Sequence, residues 1–581
     1  MLSSLSACQS NSTQGDDTKQ SEESGSAESQ TRLPAQNLTS EGFELTLSED
    51  KSYYIFTAVG TCSDEKITVP SSYNNLPVKA IADGAFISSK GITEITVSEG
   101  ITEIGEQAFA YSKDLKKVTL ASTVTAISAR AFYNCKALES VTLGSSLSEI
   151  RVSAFEGCTA LTSVSLPSNV KSIGASAFYG CEALSTVTLG DSLEKIGASA
   201  FDGTAIMKNA ATSNIYIGKY FIKAAENASG ELAISDGTLL IADHAAKTTA
   251  ITSVKFPSSL KFIGATAFTA CAKLESIKLP DGLISIGDSA FSSCDALTEA
   301  ELPNSLTYLG ELAFYHCSAL KSIKIPSGIT AIPEQAFNDC AALESVTLHN
   351  SLTSIGEYGF ANCTSLQKIS LPDSLSVIGE SAFYKCYNLM SVNLPKSLTK
   401  IKGYAFQYCH KLVDVKNESN LNVVADSKNT GNGYAGTYAK EIHNGESKLV
   451  EQDGYYFYTF NGVNYLMGRV GMSDESLTLP ANFNGESYVT YKYAFSFRPM
   501  LKSITVTSGL STIQSNSFDN CPNLAELTLS SSVTSIAKNA VNLCPSFSTL
   551  IFLGSESDFN AISIHSTNSI LLGAQREYRV S

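Results

Sequence analysis

Phenylalanine returns every twenty-three residues along this chain. Phe86, Phe109, Phe132, Phe155, Phe178 and Phe201 keep the step, as do Phe268, Phe291, Phe314, Phe337, Phe360, Phe383 and Phe406, and Phe495 and Phe518 resume it. Ala246 and Val541 hold the same slot in weaker copies, which gives seventeen units. A unit this short cannot bury a core of its own, since isolated folds below about 40 residues need staples. Its apolar edges have to be covered by the units before and after it, so the period dictates a one-dimensional stack.

One well-formed copy runs from Cys340 to Phe360. Leu343-x-x-Val346-x-Leu348 reads as a strand with alternate residues inward, leaving Ser345 and Thr347 for solvent. In many copies proline follows the strand, as in Leu279-Pro280, Leu302-Pro303, Leu371-Pro372 and Leu394-Pro395, and stops the ladder because it has no amide hydrogen. A second apolar pair (Leu352 and Ile355) comes next, then Gly356 at a corner, then a segment ending in Phe360 that reads as a single helical turn. Stacked at the parallel-strand spacing of about 4.8 Å, the units would form a body on the order of 80 Å long.

Twelve of the fourteen cysteines sit three residues after the periodic position, at Cys135, Cys158 and Cys181, at Cys271 through Cys409 in steps of twenty-three, and at Cys521 and Cys544. Equivalent side chains in stacked coils run parallel about 4.8 Å apart, whereas a disulfide draws two β-carbons to about 3.8 Å and turns them together. Buried free thiols acting as small apolar plugs are therefore expected. Zinc ligands must converge on one point, and a column of thiols spreads along an axis, so we expect no metal. His316 and His410 flank column cysteines without a second ligand at metal spacing and read as structural.

The motif Ala-Phe-x-x-Cys-x-x-Leu-x-x-Ile-x-Leu-Pro-x-Ser-Leu-x-x-Ile-Gly resembles the BspA-type leucine-rich-repeat family over roughly residues 65 to 553. That resemblance implies a mainly β, right-handed leucine-rich-repeat solenoid with a parallel concave sheet, short convex strands and one-turn helices, plus hairpin inserts. It also implies a bacterial surface protein; several family members are associated with adhesion to host matrix proteins or to other bacteria.

The ends and interruptions divide the chain. Leu5-Ser6-Ala7-Cys8 is similar to a lipoprotein lipobox, with Cys8 the acylated residue, although a basic start and longer apolar stretch are missing before it. Residues 9 to 40 are polar and small and read as a disordered tether. Residues 41–80, with Tyr53-Tyr54-Ile55-Phe56-Thr57, read as an amino-terminal cap and first coil; repeat blocks are expected over 81–206 and 251–414. Between them, 207–250 holds a hairpin around Gly218 and a weak repeat. Residues 415–476 contain Tyr455 to Leu466, a hairpin turning at Asn461-Gly462. A third block with a carboxyl-terminal cap, 477–581, reads as a fresh start at which the array bends or hinges.

A formal charge of −15 and the lack of a concentrated basic face argue against nucleic acid. No run of eighteen apolar residues occurs, so a lipid on Cys8 would be the membrane contact. No nucleophile elbow, phosphate loop or zinc-helix motif departs from the repeat, and no cofactor is implied; a non-catalytic, monomeric binding protein is expected, extracellular or at the cell surface. The exposed strand columns are mostly hydroxyls. Their least uniform stretch brings together Lys255, Ser276, Lys278, Glu299, Glu301, Ser322, Lys324, Lys368 and Asn393, the candidate binding face. The expected partner is a host matrix or microbial surface protein. A glycan is the alternative and would be favoured by solvent-facing rings between Tyr455 and Tyr465; a hydrolytic site within 415–476 is a remote third reading.

Overall fold

The computed structural model describes residues 42–428 and 430–580, together with the backbone of Asn37–Leu38. The lipobox-like Cys8 and the polar segment after it lie outside the described residues. What remains is a mainly β solenoid in which each coil contributes one strand to each of two parallel ladders.

The first ladder carries three residues per coil. Ser140-Val141-Thr142 pairs in register with Lys117-Val118-Thr119, and Ser276-Ile277-Lys278 pairs with Glu299-Ala300-Glu301, the central residue pointing inward. After the strand the chain turns. The Pro280 carbonyl accepts the amide of Leu283 at 3.0 Å, closing the turn at a residue whose own missing amide costs no ladder bond. The second ladder carries two residues per coil, such as Ala126-Ile127 against Glu149-Ile150, and its isoleucines are fully buried. The corner glycine that follows is required by close approach: a Cβ on Gly287 would stand 2.5 Å from the Ala265 nitrogen in the coil before it, and one on Gly310 would stand 2.4 Å from the Asp288 nitrogen.

The segment around each phenylalanine is not the helical turn its composition suggests. The backbone takes positive φ two residues before and two residues after the ring, as at Arg130 (55°) and Asn134 (55°) around Phe132, and at Gln335 (54°) and Asp339 (62°) around Phe337. The reason lies in the hydrogen bonds. The amides of Arg130, Phe132 and Asn134 donate to Val152, Ala154 and Glu156 of the next coil at 3.0, 2.7 and 2.7 Å, while those between them close turns within the coil. A helix would turn every amide inward and leave the stack without this third line of bonds. The slots are often filled by Ser, Asn, Asp or Gly, residues that tolerate or locally stabilise that conformation.

Inside, the phenylalanine rings stack. Centroid separations run from 4.8 Å for Phe109–Phe132 to 5.8 Å for Phe360–Phe383, with nearly parallel planes. The stack begins in the cap, where Phe56 lies 4.9 Å from Phe86. Burying each ring stabilises by roughly 1.5–3 kcal/mol. The column cysteines are buried beside them, and each thiol donates to the carbonyl at the phenylalanine position of the preceding coil: Cys135 to Phe109 at 3.0 Å, Cys340 to Phe314 at 3.2 Å and, where alanine holds that position, Cys271 to Ala246 at 3.1 Å.

Both interruptions are now defined. At the first, Ile215–Ile217 and Tyr220–Lys223 form a hairpin with Gly218 at φ 58°, and the returning strand also pairs parallel with Leu240–Ile241, so the hairpin doubles as the first rung of a resumed ladder. At the second, the three-residue ladder ends on Glu441–His443, and new sheets start with the antiparallel strands Leu449–Gln452, Tyr455–Phe460 and Val463–Arg469. Phe460 pairs with Val463 across Asn461 (φ 49°) and Gly462 (φ 73°), a primed two-residue turn. The apolar core divides here as well. One core spans Phe43 to Ala435 and another Tyr455 to Leu571, and a small third cluster containing Met390, Val413, Tyr458, Met467 and Tyr491 joins them.

Candidate functional site: the charged stretch of the strand face

Along the first block one column of the three-residue ladder is all hydroxyl, Thr119, Thr142, Ser165 and Thr188, while the column beside it begins at the exposed Lys117 and goes on through Ser140, Ser163 and Thr186. From Lys255 onward the same columns become charged. Lys278 pairs in register with Glu301, and Ser276 with Glu299; all four are exposed, as are Lys255, Ser322 and Lys324. Two adjoining depressions open here. One, of about 460 Å³, is lined by Lys278, Glu299, Glu301, Ser322 and Lys324 together with Asp281 and Asn304. Its neighbour, of about 580 Å³, is lined by Lys255, Lys278, Glu231, Phe256 and Asp281. Prolines 280, 303 and 326 form part of the walls, because the chain must leave the ladder there and turn outward.

Seven of the nine residues singled out in the sequence therefore share one surface, and two do not. The Lys368 ammonium lies 4.2 Å from the centre of the Tyr456 ring, held by the hairpin of the second interruption. Asn393 is half-buried beside the segment that leaves the last coil, with its side chain toward Glu418. What sequence reasoning missed is that residues 449–472 fold back along the flank of the coils containing Glu344, Gln367 and Met390. The Gln367 amide donates to the Arg469 carbonyl at 2.7 Å and accepts from the Gly471 amide at 3.1 Å, and Glu344 accepts from the Met472 amide at 3.2 Å.

The same seam holds two buried basic side chains. Lys411 donates to Asn388 at 2.7 Å and to the Ala494 carbonyl at 2.6 Å, and complete burial, with Arg498 near, pulls its pKa well down. Arg498 donates to the carbonyls of Arg469 and Gly471 at 2.9 and 2.7 Å, and burial lowers its pKa to about 10 despite Asp474 nearby. No local pattern marks either residue, since their partners are up to 83 positions away.

The hairpin rings anticipated as a glycan platform are not available. Tyr455, Tyr456, Phe457 and Tyr458 are buried in the cores, and Phe460 and Tyr465 pack against them. Residues 415–476 do contain a serine and a histidine near Asp414. The His443 Nε2 lies 2.9 Å from one Asp414 oxygen, and Ser447 donates to the other. In a hydrolytic triad the serine must bond to the histidine. Here both bond to the carboxylate, which ties the end of the ladder to the chain leading into the third block. Among the described residues no group of three or more His, Cys, Asp and Glu side chains is placed to hold a metal ion. No described helix is long and apolar enough to cross a membrane.

The model of the BspA type leucine-rich repeat region matches in six copies, over residues 79–208, 239–348, 330–428 and 481–570, well over half of the chain. The chain belongs to the BspA-type leucine-rich-repeat family. Solved structures similar to this BspA-type chain include a leucine-rich-repeat protein from Bacteroides ovatus, 29% identical over 66% of this chain and 94% of that one, with a TM-score of 0.31. A leucine-rich cell surface protein from Faecalibacterium prausnitzii is 26% identical over 66% of this chain and 94% of its own, with a TM-score of 0.28. Among curated proteins none matches this BspA-type chain.

Proposed function

We propose that this chain is a non-catalytic, adhesin-like binding protein, secreted or exposed on a bacterial surface, that engages a host matrix or microbial surface protein. Its contact surface is the charged stretch of the three-residue ladder. The observation that carries this reading is the change, within one column, from Thr119, Thr142, Ser165 and Thr188 to the alternating Lys278, Glu301 and Lys324 that line the two adjoining depressions. Alternating charges fix the register and orientation of a partner more than they add raw affinity. The half-buried Phe256 is the one large aromatic side chain lining the two depressions, so each contact is weak and binding gains from many molecules on one surface. A lipid on Cys8 would provide that display. The chain acts as a monomer.

The test is binding of the full chain to immobilised panels of matrix proteins and of microbial surface proteins. Reversal of the charges at Lys278 and Glu301 together should abolish the strongest signal without lowering the unfolding temperature. Equal binding by the wild type and the doubly reversed variant would overturn the assignment.

A further inference from the structure

A second surface stands apart from the strand face, on the turn segments of the last coils before the seam. Tyr404 and Tyr408 are 48% and 38% exposed, the two positive-φ positions around Phe406. Tyr434 lies 5.9 Å from Tyr404 with nearly parallel rings, Tyr384 meets Tyr408 edge-on at 5.4 Å, and His410 joins Tyr408 to Tyr438 at 5.8 and 5.0 Å. Such a cluster is not needed for the repeat, since the corresponding slots around Phe178 hold Ser176 and Gly180.

Three features say what the patch suits. First, it is built from tyrosine and histidine rather than aliphatic side chains. The Tyr404, Tyr408 and Tyr434 hydroxyls bond no described protein group. A ligand there must offer apolar C–H faces to the rings and polar groups to the hydroxyls, as a pyranose does. Second, lysines surround it in a chain of net charge −15: Lys385 lies over Tyr384 at 5.2 Å, Lys492 over Tyr438 at 5.9 Å, and Lys402 is exposed two residues before Tyr404. No described carboxylate pairs with Lys402 or Lys492. Cations gathered against the overall field select an anion. Third, the patch is small. Aromatic side chains present about 150–250 Å² each, so its exposed area is on the order of 300 Å², well under the roughly 800 Å² per partner of a stable protein interface.

We propose that this patch binds an acidic carbohydrate, a pyranose chain bearing carboxylates, independently of the strand face. The sugar rings lie against Tyr404 and Tyr408, and the carboxylates meet Lys402 and Lys492.

The chain contains no tryptophan to mask tyrosine emission, and the share of its quenching that disappears in the variant lacking Tyr404 and Tyr408 reports on these rings among the 25 tyrosines. The full chain is titrated with three probes: hexasaccharides of alternating glucuronate and N-acetylhexosamine, oligogalacturonate, and the same oligomers with their carboxylates reduced to alcohols. At least one acidic probe is expected to bind about tenfold or more tighter than its reduced form. Tyr404→Ala with Tyr408→Ala should weaken that binding about tenfold or more at an unchanged unfolding temperature, because both side chains are exposed. Lys402→Gln with Lys492→Gln should remove its dependence on salt. The reversed charges at Lys278 and Glu301 should leave it unchanged, which separates this site from the strand face. The proposal is overturned if neither acidic probe binds, if the tyrosine variants bind as the wild type does, or if a single-stranded oligonucleotide of equal charge binds as well.

Discussion

The thiol of Cys340 donates to the carbonyl of Phe314, 3.2 Å away and one coil back, so the residue that plugs one coil also satisfies the backbone of the coil before it. The same bond recurs from Cys135 to Phe109 and from Cys409 to Phe383. It predicts how the thiols respond to reagents. In the folded chain the column cysteines should resist alkylation at neutral pH, and in denaturant, without reductant, they should react in nearly full number. A thiol titration under both conditions checks this, and a near-zero count in denaturant would reveal disulfides.

The same burial sets an alkaline limit. Desolvation pushes the Cys135 and Cys340 thiols from their ordinary 9.0 up to about 12. The folded state therefore favours the neutral thiol, while the unfolded chain ionises first as pH rises. The contribution to stability is complete below 9.0 and is lost as pH climbs toward 12. Urea midpoints measured across this range should fall steadily, and replacing Cys340 with alanine should flatten the fall slightly.

Phe314 is fully buried between Phe291 at 5.4 Å and Phe337 at 5.6 Å. Phe314→Ala removes both ring contacts and leaves a void that a regular stack cannot collapse around. A loss of about 3–5 kcal/mol in urea unfolding is expected.

At the seam, Arg498→Ala removes two donors from the Arg469 and Gly471 carbonyls and should weaken docking of the third block by about 3 kcal/mol. Faster hydrogen exchange at residues 466–472 would report it. Lys411 gives the seam a pH dependence of opposite sign to that of the thiols. Burial pulls the pKa of its amine well below the ordinary 10.5 that the unfolded lysine keeps. Docking should therefore tighten as pH rises toward 10.5. Lys411→Met should lose that trend.

Gly462 has φ 73° in the hairpin turn, and a Cβ there would meet nothing within 4 Å. Gly462→Ala consequently costs only the backbone conformation, about 1 kcal/mol. A larger loss, read from thermal unfolding, would mean that the turn bears on the seam as well.

These effects differ in how far the sequence announced them. The stacked rings could be read directly, because a fixed period admits one way to cover each unit's edges. The Asn461-Gly462 turn was equally plain, since few residue pairs accept two consecutive positive φ values. The turn around each phenylalanine misled: its residues suit a helix, and only the bonds to the next coil, as from Phe132 to Ala154, select the other conformation. Of the candidate face, Lys255 through Lys324 assembled because register is inherited from the repeat. Lys368 was covered by a hairpin that packs back from far along the chain, and spacing along the sequence holds no record of that docking, while Asn393 was half-buried by the segment that leaves the last coil toward Glu418.

The turn segments also govern how such a chain can change in length. The amides of Arg130, Phe132 and Asn134 are committed to the coil ahead, and Asn134 in turn stands in the path of Gly157. One extra residue inside a coil would put every later bond out of step, whereas a whole additional coil would find its partners ready. Length variants of this gene should therefore differ by sixty-nine bases, three for each of twenty-three residues, with irregular insertions confined to the two interruptions of the repeat, at 207–250 and 415–476.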